Sequence, residues 1–275
     1  MTTIALFGAG GKMGFRLAAH LQHSRFATRY VEVSDGGRKR LRTELGLECS
    51  TPKAALDGAE VVILAVPDTM IRSIAAEISP QLKSGTMVVA LDAAAPFAGH
   101  LSPRKDLVYF VTHPCHPPIF NDETDPAALR DHFGGLAARQ SIVNALLQGP
   151  EDAFALGEEI ANTIWAPVLR SHRVTVEQMA LLEPGLSETV AATLLSVMRE
   201  ALDEVIARGV PQQAAQDFLL GHMNVLAAVI FGVMPGRFSD ACNKAIEFGK
   251  PALMRSDWKH VFEPAEIAAS IQRIT

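Results

Sequence analysis

A proline-rich segment with two histidines and a cysteine is the part of this chain best suited to chemistry. It reads His113-Pro114-Cys115-His116-Pro117-Pro118 and follows an apolar run that ends at Val111. Proline fixes the backbone φ angle, so the segment should hold its side chains rigidly. Imidazoles act as acid–base groups near neutral pH and as metal ligands. Because adjacent side chains point in different directions, we expect this segment to supply one ligand to any metal ion rather than three.

A carboxylate beside a proline is the best candidate for a second ligand. Glu183 precedes Pro184 within a leucine-flanked segment of helical spacing. Proline inside a helix removes a hydrogen bond and kinks the axis, which is costly unless the kink aims a side chain at something. The alternatives are a simple helix break with a solvated Glu183, or a ligand at Glu188 or His222.

A glycine-rich turn near the start of the chain indicates a dinucleotide site. The apolar run 3–7 opens into the glycine turn 8–14, which is followed by an amphipathic segment and a second apolar run ending at Glu32. This order places a pyrophosphate at a helix N-terminus and an adenine ribose at the acid. The turn is one residue longer than the usual G-x-G-x-x-G motif, so the N–H groups that face the phosphates stay open. The predicted cofactor-binding residues are Gly8, Gly10, Gly11, Lys12, Met13, Gly14, Glu32, Val66, Pro67 and Asp68.

The acid at position 32 favours NAD over NADP. A carboxylate at Glu32 accepts hydrogen bonds from ribose hydroxyls and repels a 2′-phosphate. Asp35 is a rival for this role if the strand runs to Ser34. The basic cluster 38–40 could neutralise a 2′-phosphate, although a solvated helix face is the simpler interpretation.

Alternating strand and helix patterns predict an α/β fold, a doubly wound parallel sheet of the Rossmann type. We assign residues 1–175 to an NAD-binding domain and 176–275 to an all-helical domain for substrate binding and dimerisation. The predicted strands after residue 32 are 59–67, 86–91, 107–111, 141–147 and 168–176. The predicted helices are 35–46, 69–82, 151–164, 186–209, 212–233, 239–248 and 264–273. The helix 212–233 is apolar nearly all round, so we expect it to be buried, in part against a second subunit of a homodimer.

The composition excludes several classes of protein. The chain has 275 residues, 48% of them hydrophobic and 20% charged, with a formal net charge of −5. No long basic run is present, which argues against nucleic acid as a partner. Three scattered cysteines favour a reducing compartment, and we expect a cytoplasmic protein. Because the first apolar run begins at residue 3, we expect no signal peptide, and the late apolar segments are too short for a membrane span.

Several motifs together resemble the 6-phosphogluconate dehydrogenase-like superfamily. The run Thr112-His113-Pro114 is similar to the His-Pro element of prephenate dehydrogenases. Superfamily members that oxidise 3-hydroxy acids carry a lysine in the helix that opens the second domain, whereas the segment 184–198 has none. Over its whole length, the chain most resembles the D-apionate oxidoisomerase family, chiefly through residues 4–14, 30–34 and the motif 113–118.

This resemblance implies NAD-dependent oxidation of a branched sugar acid, followed by an acyloin-type shift of a carbon group. It implies that His113 removes the hydroxyl proton as hydride leaves for NAD. The second step calls for a divalent cation that chelates both reacting oxygens, and we assign His116 and Glu183 as its ligands. Zinc, manganese and magnesium all suit this pair. The alternatives are a plain NAD(P)-dependent dehydrogenase of a small hydroxy acid, and a regulator that binds NAD without turnover.

Overall fold

A seven-stranded sheet forms the framework of the computed structural model, which describes residues 1–275. The strands lie in the order β2-β1-β3-β4-β5-β6-β7. Their apolar residues are buried on both faces, as expected for strands covered by helices on either side. The strands are β1 (Thr3–Phe7), β2 (Ala27–Val31), β3 (Val61–Leu64), β4 (Met87–Ala90), β5 (Val108–Pro114), β6 (Gln140–Gln148) and β7 (Val168–Arg173).

The sheet is parallel except at one pairing. Strands β1 to β5 pair in parallel, as do β6 and β7, whereas β6 runs antiparallel to β5. The predicted Rossmann-type α/β fold is therefore confirmed, with a reversal between β5 and β6 that the sequence pattern did not reveal. Antiparallel neighbours need no crossover helix, so the segment 115–139 between β5 and β6 can consist mainly of loop structure.

Helices cover both faces of the sheet. On one face, Leu17 of α1 and Ile160 of α7 pack with Phe110 in a fully buried cluster. On the other face, Ile71 and Ile78 of α4 pack in a second buried cluster with side chains of the same strands, such as Val62. The helices of this part are α1 (Lys12–Leu21), α2 (Asp35–Arg40), α3 (Pro52–Leu56), α4 (Asp68–Ile78), α5 (Ala94–Phe97), α6 (Pro126–Arg130), α7 (Ala153–Ile164) and α8 (Val176–Ala180).

Three predicted strand ends were wrong, the first being that of β3, which ends at Leu64 and not at Pro67. Strand β5 was expected to end at Val111, but it continues to Pro114, so His113 lies on the strand and not in a loop. Backbone pairing with β6 continues to Pro114 and extends the strand. Strand β7 ends at Arg173 instead of Val176, because Thr175 caps helix α8 through a capping box with Gln178.

The C-terminal part contains no strand, as predicted. The chain divides into one compact unit of residues 1–183 with 268–275, and a second of residues 184–267. Wide π-helical turns over Leu181–Ala192 join the two, and Pro184, which has no N–H to donate, lies within them. The helices that follow are α9 (Thr193–Ala207), α10 (Gln212–Ile230), α11 (Asp240–Leu253) and α12 (Pro264–Ile274).

Helix α10 is not buried within the chain, contrary to expectation. Phe218 is 68% exposed, Leu220 64% and Ile230 62%. Within its own unit the helix packs mainly against α9, which covers only one of its apolar faces. No helix of the structure is both long and apolar enough to cross a lipid bilayer.

Candidate active site

The carboxyl ends of three adjacent strands bring titratable side chains together. Asp68 follows β3, Asp92 follows β4, and His113 lies at the end of β5. Ligands of open parallel sheets bind beyond this edge. The pKa of Asp68 is raised, first by its burial and then by the negative charge of Asp92, so the two carboxyl groups share one environment.

His113 has one ring nitrogen anchored and the other directed at a carboxylate. Its Nδ1 lies 2.8 Å from the carbonyl oxygen of Leu91, so Nδ1 carries a proton and donates it. Its Nε2 lies 3.3 Å from Oε2 of Glu183 and is buried without an aligned hydrogen bond. Asp92 Oδ2 lies 3.7 Å from Nδ1. In the neutral ring the Nε2 lone pair therefore faces the space beside Glu183, where a proton or a cation is favoured.

The surrounding carboxylates favour a charged His113 ring. Burial lowers the pKa of His113, but the hydrogen-bonding interaction with Glu183 and the charges of Glu183 and Asp92 outweigh it, so the pKa is raised. Burial works against ionised Glu183, yet the interaction with His113 and the charges of His113 and His116 hold its pKa below the usual range. The pair thus stabilises an imidazolium, which is the state a base reaches after taking a proton.

Glu183 reaches this site from the first π-helical turn after α8. Wide turns of this kind are frequent at functional sites. Its side chain is 23% exposed and lies against His113, so the solvated alternative is wrong. Of the two alternative ligands, Glu188 and His222, the second lies on α10, where its ring stacks on Phe218 and its Nδ1 contacts the Phe218 carbonyl oxygen.

Asp92 is a site residue that the sequence analysis missed. One ligand atom from each of Asp92, His113 and Glu183 lies within 4.8 Å of the others, close enough for one cation. Burial raises the pKa of Asp92, against the hydrogen bond that Oδ1 accepts from the Ala94 N–H and the charge of His113. Its position directly after the predicted strand 86–91 was the available signal, because acids at strand ends point into such sites.

His116 lies near this cluster but is not one of the three. Its backbone φ is +60°, a left-handed conformation that is costly for a residue with a side chain. Its Nδ1 lies 2.8 Å from the carbonyl oxygen of Phe133, so Nε2 is left as the ligand atom. The rings of His113 and His116 lie 6.1 Å apart and nearly perpendicular.

A loop after α6 holds His116 in this orientation. The carboxylate of Asp131 accepts hydrogen bonds from the backbone N–H groups of Gly134, Leu136, Ala137 and Ala138. Burial opposes its ionisation, but these hydrogen bonds outweigh burial and lower the pKa of Asp131. The loop 131–138 is thereby fixed, and with it the Phe133 carbonyl that binds His116.

The cysteine between the two histidines is not activated. The pKa of the Cys115 thiol is raised, first by burial and then by the charge of Glu183, while Arg170 opposes the shift. A thiol of this kind stays protonated near neutral pH and is a poor metal ligand or nucleophile.

The glycine turn is built so tightly that three positions exclude a side chain, among them Gly10, whose Cβ would lie 2.5 Å from the Cα of Gly37. Gly8 has φ +76°, and a Cβ there would lie 2.3 Å from the Ala65 carbonyl oxygen. A Cβ on Gly14 would lie 2.0 Å from the Gly8 carbonyl oxygen, so α1 can approach β1 only with glycine at this position. Gly8 and Gly14 therefore bring the N-terminus of α1 against the sheet edge, where its free N–H groups form an anion site.

The carboxylate of Glu32 stabilises the backbone around it, which the motif alone does not predict. Its Oε2 accepts a hydrogen bond from the Gly10 N–H, and its Oε1 accepts two from Val33 and Ser34, each at 2.8 Å. Burial opposes ionisation, but these backbone hydrogen bonds lower the pKa of Glu32. The Ser34 side chain adds a fourth interaction, so the carboxylate is ionised and held by its own turn.

The rival groups around Glu32 point elsewhere. The side chain of Asp35 is fully exposed, 3.9 Å from Arg38. Arg38 donates to the Glu32 carbonyl oxygen, and Arg40 stacks on the Phe15 ring.

A cleft of about 360 Å³ joins the glycine turn to the ends of β2 and β3. Of the predicted cofactor-binding residues, the ones that line this cleft are Gly8, Gly11, Glu32, Val66 and Pro67.

The other predicted cofactor-binding residues do not line the cleft. Lys12 lies at the start of α1 with its Nζ 4.8 Å from the centre of the Phe133 ring. Met13 belongs to the same helix and packs on the core, while Asp68 starts α4 beside Asp92. Gly10 N–H is bound to Glu32, so it holds the turn.

Two family descriptions match this chain. Residues 121–275 match the family described as phosphogluconate dehydrogenase (decarboxylating), C-terminal. Residues 3–95 match the family described as NADP oxidoreductase, coenzyme F420-dependent.

Individual proteins match over the full length. The D-apionate oxidoisomerase of Rhizobium rhizogenes is 74% identical over 275 residues, with 100% of each chain covered. That of Cupriavidus necator is 70% identical over 272 residues, with 99% of each chain covered. A crystal structure of a semialdehyde dehydrogenase NAD-binding protein from Cupriavidus necator, in complex with calcium and NAD, is 69% identical and superposes with a TM-score of 0.99 over 100% of both chains.

Proposed function

Because this chain belongs to the D-apionate oxidoisomerase family, we propose that it is an NAD-dependent oxidoreductase that oxidises a branched sugar acid and then rearranges its carbon skeleton. The observation that carries the proposal is the buried Nε2 of His113, 3.3 Å from Oε2 of Glu183, at the sheet edge that also carries the glycine turn. A sensor that only bound NAD would need no such nitrogen.

The glycine turn and Glu32 fit NAD. The turn leaves no room for side chains at Gly8 and Gly14, as close approach to a pyrophosphate requires. Glu32 lines the cleft, and its ionised carboxylate repels a 2′-phosphate. The relative of known structure from Cupriavidus necator is in complex with NAD, which supports the choice.

His113 is the general base of the oxidation. Its Nδ1–H is held by the Leu91 carbonyl, so Nε2 is free to accept the proton of the substrate hydroxyl. The C–H bond of the same carbon breaks and its electron pair leaves as hydride to NAD, which turns the alcohol into a ketone. Glu183 and Asp92 stabilise the imidazolium that results.

The rearrangement then needs no further oxidant. The bond from the tertiary carbon to the migrating group breaks with its electron pair, which forms the new bond at the carbonyl carbon. The tertiary hydroxyl loses its proton as its carbon becomes a ketone, and the former ketone oxygen gains one. His113, protonated in the first step, is the group within this site that can return that proton.

A divalent cation fits the donors at this edge. We assign Glu183 and Nε2 of His116 as its ligands, since Nδ1 of His116 is occupied by Phe133 and its charge acts on Glu183. Such an ion would supply Lewis-acid polarisation of the two reacting oxygens. The cluster of Asp92, His113 and Glu183 is the second candidate, because their ligand atoms lie within 4.8 Å of one another.

Metal titration separates the two candidates. His116→Ala should weaken binding of Mn²⁺, Mg²⁺ or Ca²⁺ to the purified protein, while His113→Ala leaves it nearly unchanged. The opposite result would assign the ion to the three-residue cluster. Unchanged activity in strong chelators would remove the cation from the reaction.

The overall reaction is tested by product analysis. Branched and linear sugar acids are screened for NAD reduction with and without added divalent ions, and the product of D-apionate is identified by carbon NMR. A rearranged skeleton is expected. An oxidised but unrearranged product would show that the protein is a plain dehydrogenase. NAD binding without turnover of any acid would show that it is a regulator.

The proposed assembly is a homodimer formed through unit 184–267. Its large exposed apolar side chains, such as Phe218, Phe231 and Phe248, exceed what a monomer normally leaves in water. A groove of about 600 Å³ between α9 and α10 is lined almost entirely by apolar residues. A second copy of the same helices is the occupant that matches this surface in size and apolar character. Light scattering at micromolar concentration should give twice the chain mass, and a single-chain mass would refute the dimer.

A further inference from the structure

The site already described is rich in negative charge. Asp68, Asp92 and Glu183 converge on it, and the positive charge among them comes from His113. Under the proposed function the substrate is itself an anion, because a sugar acid carries a carboxylate. His113 must be neutral to act as a base, so binding that carboxylate calls for a further cationic group, and arginine is the side chain whose geometry best matches a carboxylate.

Strand pairing identifies which side chains share the face of His113. Cys115 follows His113 by two residues, so both lie on the same face of β5. The backbone N–H of Cys115 donates to the carbonyl oxygen of Ser141, and Ser141 pairs with Arg170. Paired residues on neighbouring strands project to one face, so Cys115, Ser141 and Arg170 form a row on the face of His113.

A bulge in β7 puts Arg170 on this face. Gln140 pairs with Val168, but the next residue, Ser141, pairs with Arg170, so Leu169 is an extra residue. Without the bulge, Arg170 would pair with Ile142 and project toward α7. Bulges are rare between parallel strands and are common beside active sites, where they redirect a side chain.

The neighbouring residues confirm the two faces. Ser171 donates to Glu158 of α7, and Arg173 pairs with Glu151 and stacks on Phe154 of the same helix. These residues therefore face α7, and Arg170 faces the opposite way.

Arg170 is also uncommitted. Arg139 at the start of β6 pairs with Asp122 and Glu123, and Arg173 with Glu151. The Arg170 side chain is exposed and makes no hydrogen bond or ion pair with the protein. Two strand spacings, about 10 Å, separate its backbone from that of Cys115, a gap that an extended arginine largely spans. The charge of Arg170 acts to lower the pKa of the Cys115 thiol, and the charge of Glu183 acts to raise it.

We propose that Arg170 binds the carboxylate of the sugar-acid substrate and thereby selects acids over neutral polyols. The inference rests on the proposed function and names the group that recognises its substrate class. The bulge at Leu169 directs Arg170 toward the site, and its guanidinium offsets the charge of Asp92 and Glu183.

The test compares Arg170→Ala with Arg173→Ala, an arginine on the same strand and the opposite face. Arg170→Ala should raise the KM for D-apionate about 10- to 100-fold, the loss expected for one charge-assisted interaction, with the NAD Kd unchanged within twofold. Arg170→Lys should fall between, because it keeps the charge and loses the planar fork. Arg173→Ala should leave KM unchanged, and turnover of the D-apionate amide should be insensitive to Arg170→Ala.

A KM for Arg170→Ala no higher than that for Arg173→Ala overturns the assignment, as does an equal loss with the amide. Calorimetric binding of D-apionate to the NAD-loaded protein separates this failure from failure of the proposed function. Wild-type protein that binds the acid without turning it over refutes the proposed reaction, while Arg170→Ala in the same titration still tests the carboxylate site.

Discussion

At the scale of single residues, the site depends on how each imidazole is anchored. His113 and His116 each bind a backbone carbonyl through Nδ1, which leaves both Nε2 atoms unprotonated in the neutral ring. The anchors differ, since Leu91 lies at the end of β4 and Phe133 lies in a loop. His113 is thus fixed by the sheet and His116 by a loop, which agrees with the proposal that His113 transfers a proton and His116 binds a cation.

Replacing His113 by alanine should abolish most hydride transfer and spare the cofactor. Loss of a general base costs about 100- to 10,000-fold in rate. NAD affinity should stay within twofold, because no contact of His113 involves the glycine turn. Steady-state NADH formation and calorimetry measure the two quantities. His23→Ala, at an exposed position on the surface, is the control and should behave as wild type.

The sequence singled out His113, His116 and Glu183 because a proline follows each of them and interrupts the local pattern. It did not single out Asp92 or the proposed carboxylate-binding Arg170, for different reasons. Asp92 is an ordinary acid in Leu91-Asp92-Ala93 and gains meaning only from its distance to His113. The face to which Arg170 projects depends on a bulge, and the register of β7 against β6 cannot be predicted from the sequence of either strand alone.

At the scale of elements, the contact between β1 and α1 sets the cofactor site. The strand–turn–helix unit was predicted correctly, since its apolar runs and glycines are local signals. The reversal of β6 was not, because parallel and antiparallel partners present the same alternation of buried residues. The end of β5 was misplaced because prolines after Val111 suggested a loop. Pairing of β5 with β4 stops at Val111, so Pro114, which has no N–H, lies beyond β4 and loses no hydrogen bond to it.

Gly14→Ala should disrupt this unit. Its Cβ would meet the Gly8 carbonyl oxygen at 2.0 Å, so α1 must move away from β1. We expect a loss of about 1–3 kcal/mol in unfolding free energy, typical of overpacking, together with weaker NAD binding. Gly36→Ala is the matched control, because nothing lies within 4 Å of its Cβ. Chemical denaturation and calorimetry on both variants measure the effects, and equal behaviour would contradict the close approach.

The loop 131–138 should make stability depend on pH. The folded pKa of Asp131 is lowered by its backbone hydrogen bonds, so its contribution is present above the unfolded pKa, about 4, and is lost as pH falls through the folded value. Asp131→Asn turns an amide N–H₂ toward backbone donors and should cost about 1–3 kcal/mol at pH 7. The difference from wild type, measured by urea denaturation, should shrink as pH falls below 4. A difference that is constant with pH would show that the carboxylate charge is not involved.

At the scale of the whole molecule, the helical unit is the part whose sequence and structure disagree most. The sequence predicts that α10 is buried, and the isolated chain leaves Phe218 and Ile230 largely exposed. Periodicity reports that a face is apolar but not which chain covers it. The proposed dimer would complete this burial between two copies, so the proposal rests on the exposed apolar side chains and not on any motif.

Phe218→Glu should therefore separate the copies. The residue is 68% exposed in the chain and lines the groove between α9 and α10, so a charge there would be buried unpaired in the assembly. The expected result is a single-chain mass by light scattering and a lower Tm, because dissociation removes the stabilisation that association adds to the folded state. Wild-type Tm should rise with protein concentration, whereas the Tm of the variant should not. Leu129→Glu, at a 51% exposed leucine on α6 in the other unit, is the control. If both variants keep a double mass, the apolar face of α10 is not the contact between copies, and its exposure needs a different partner.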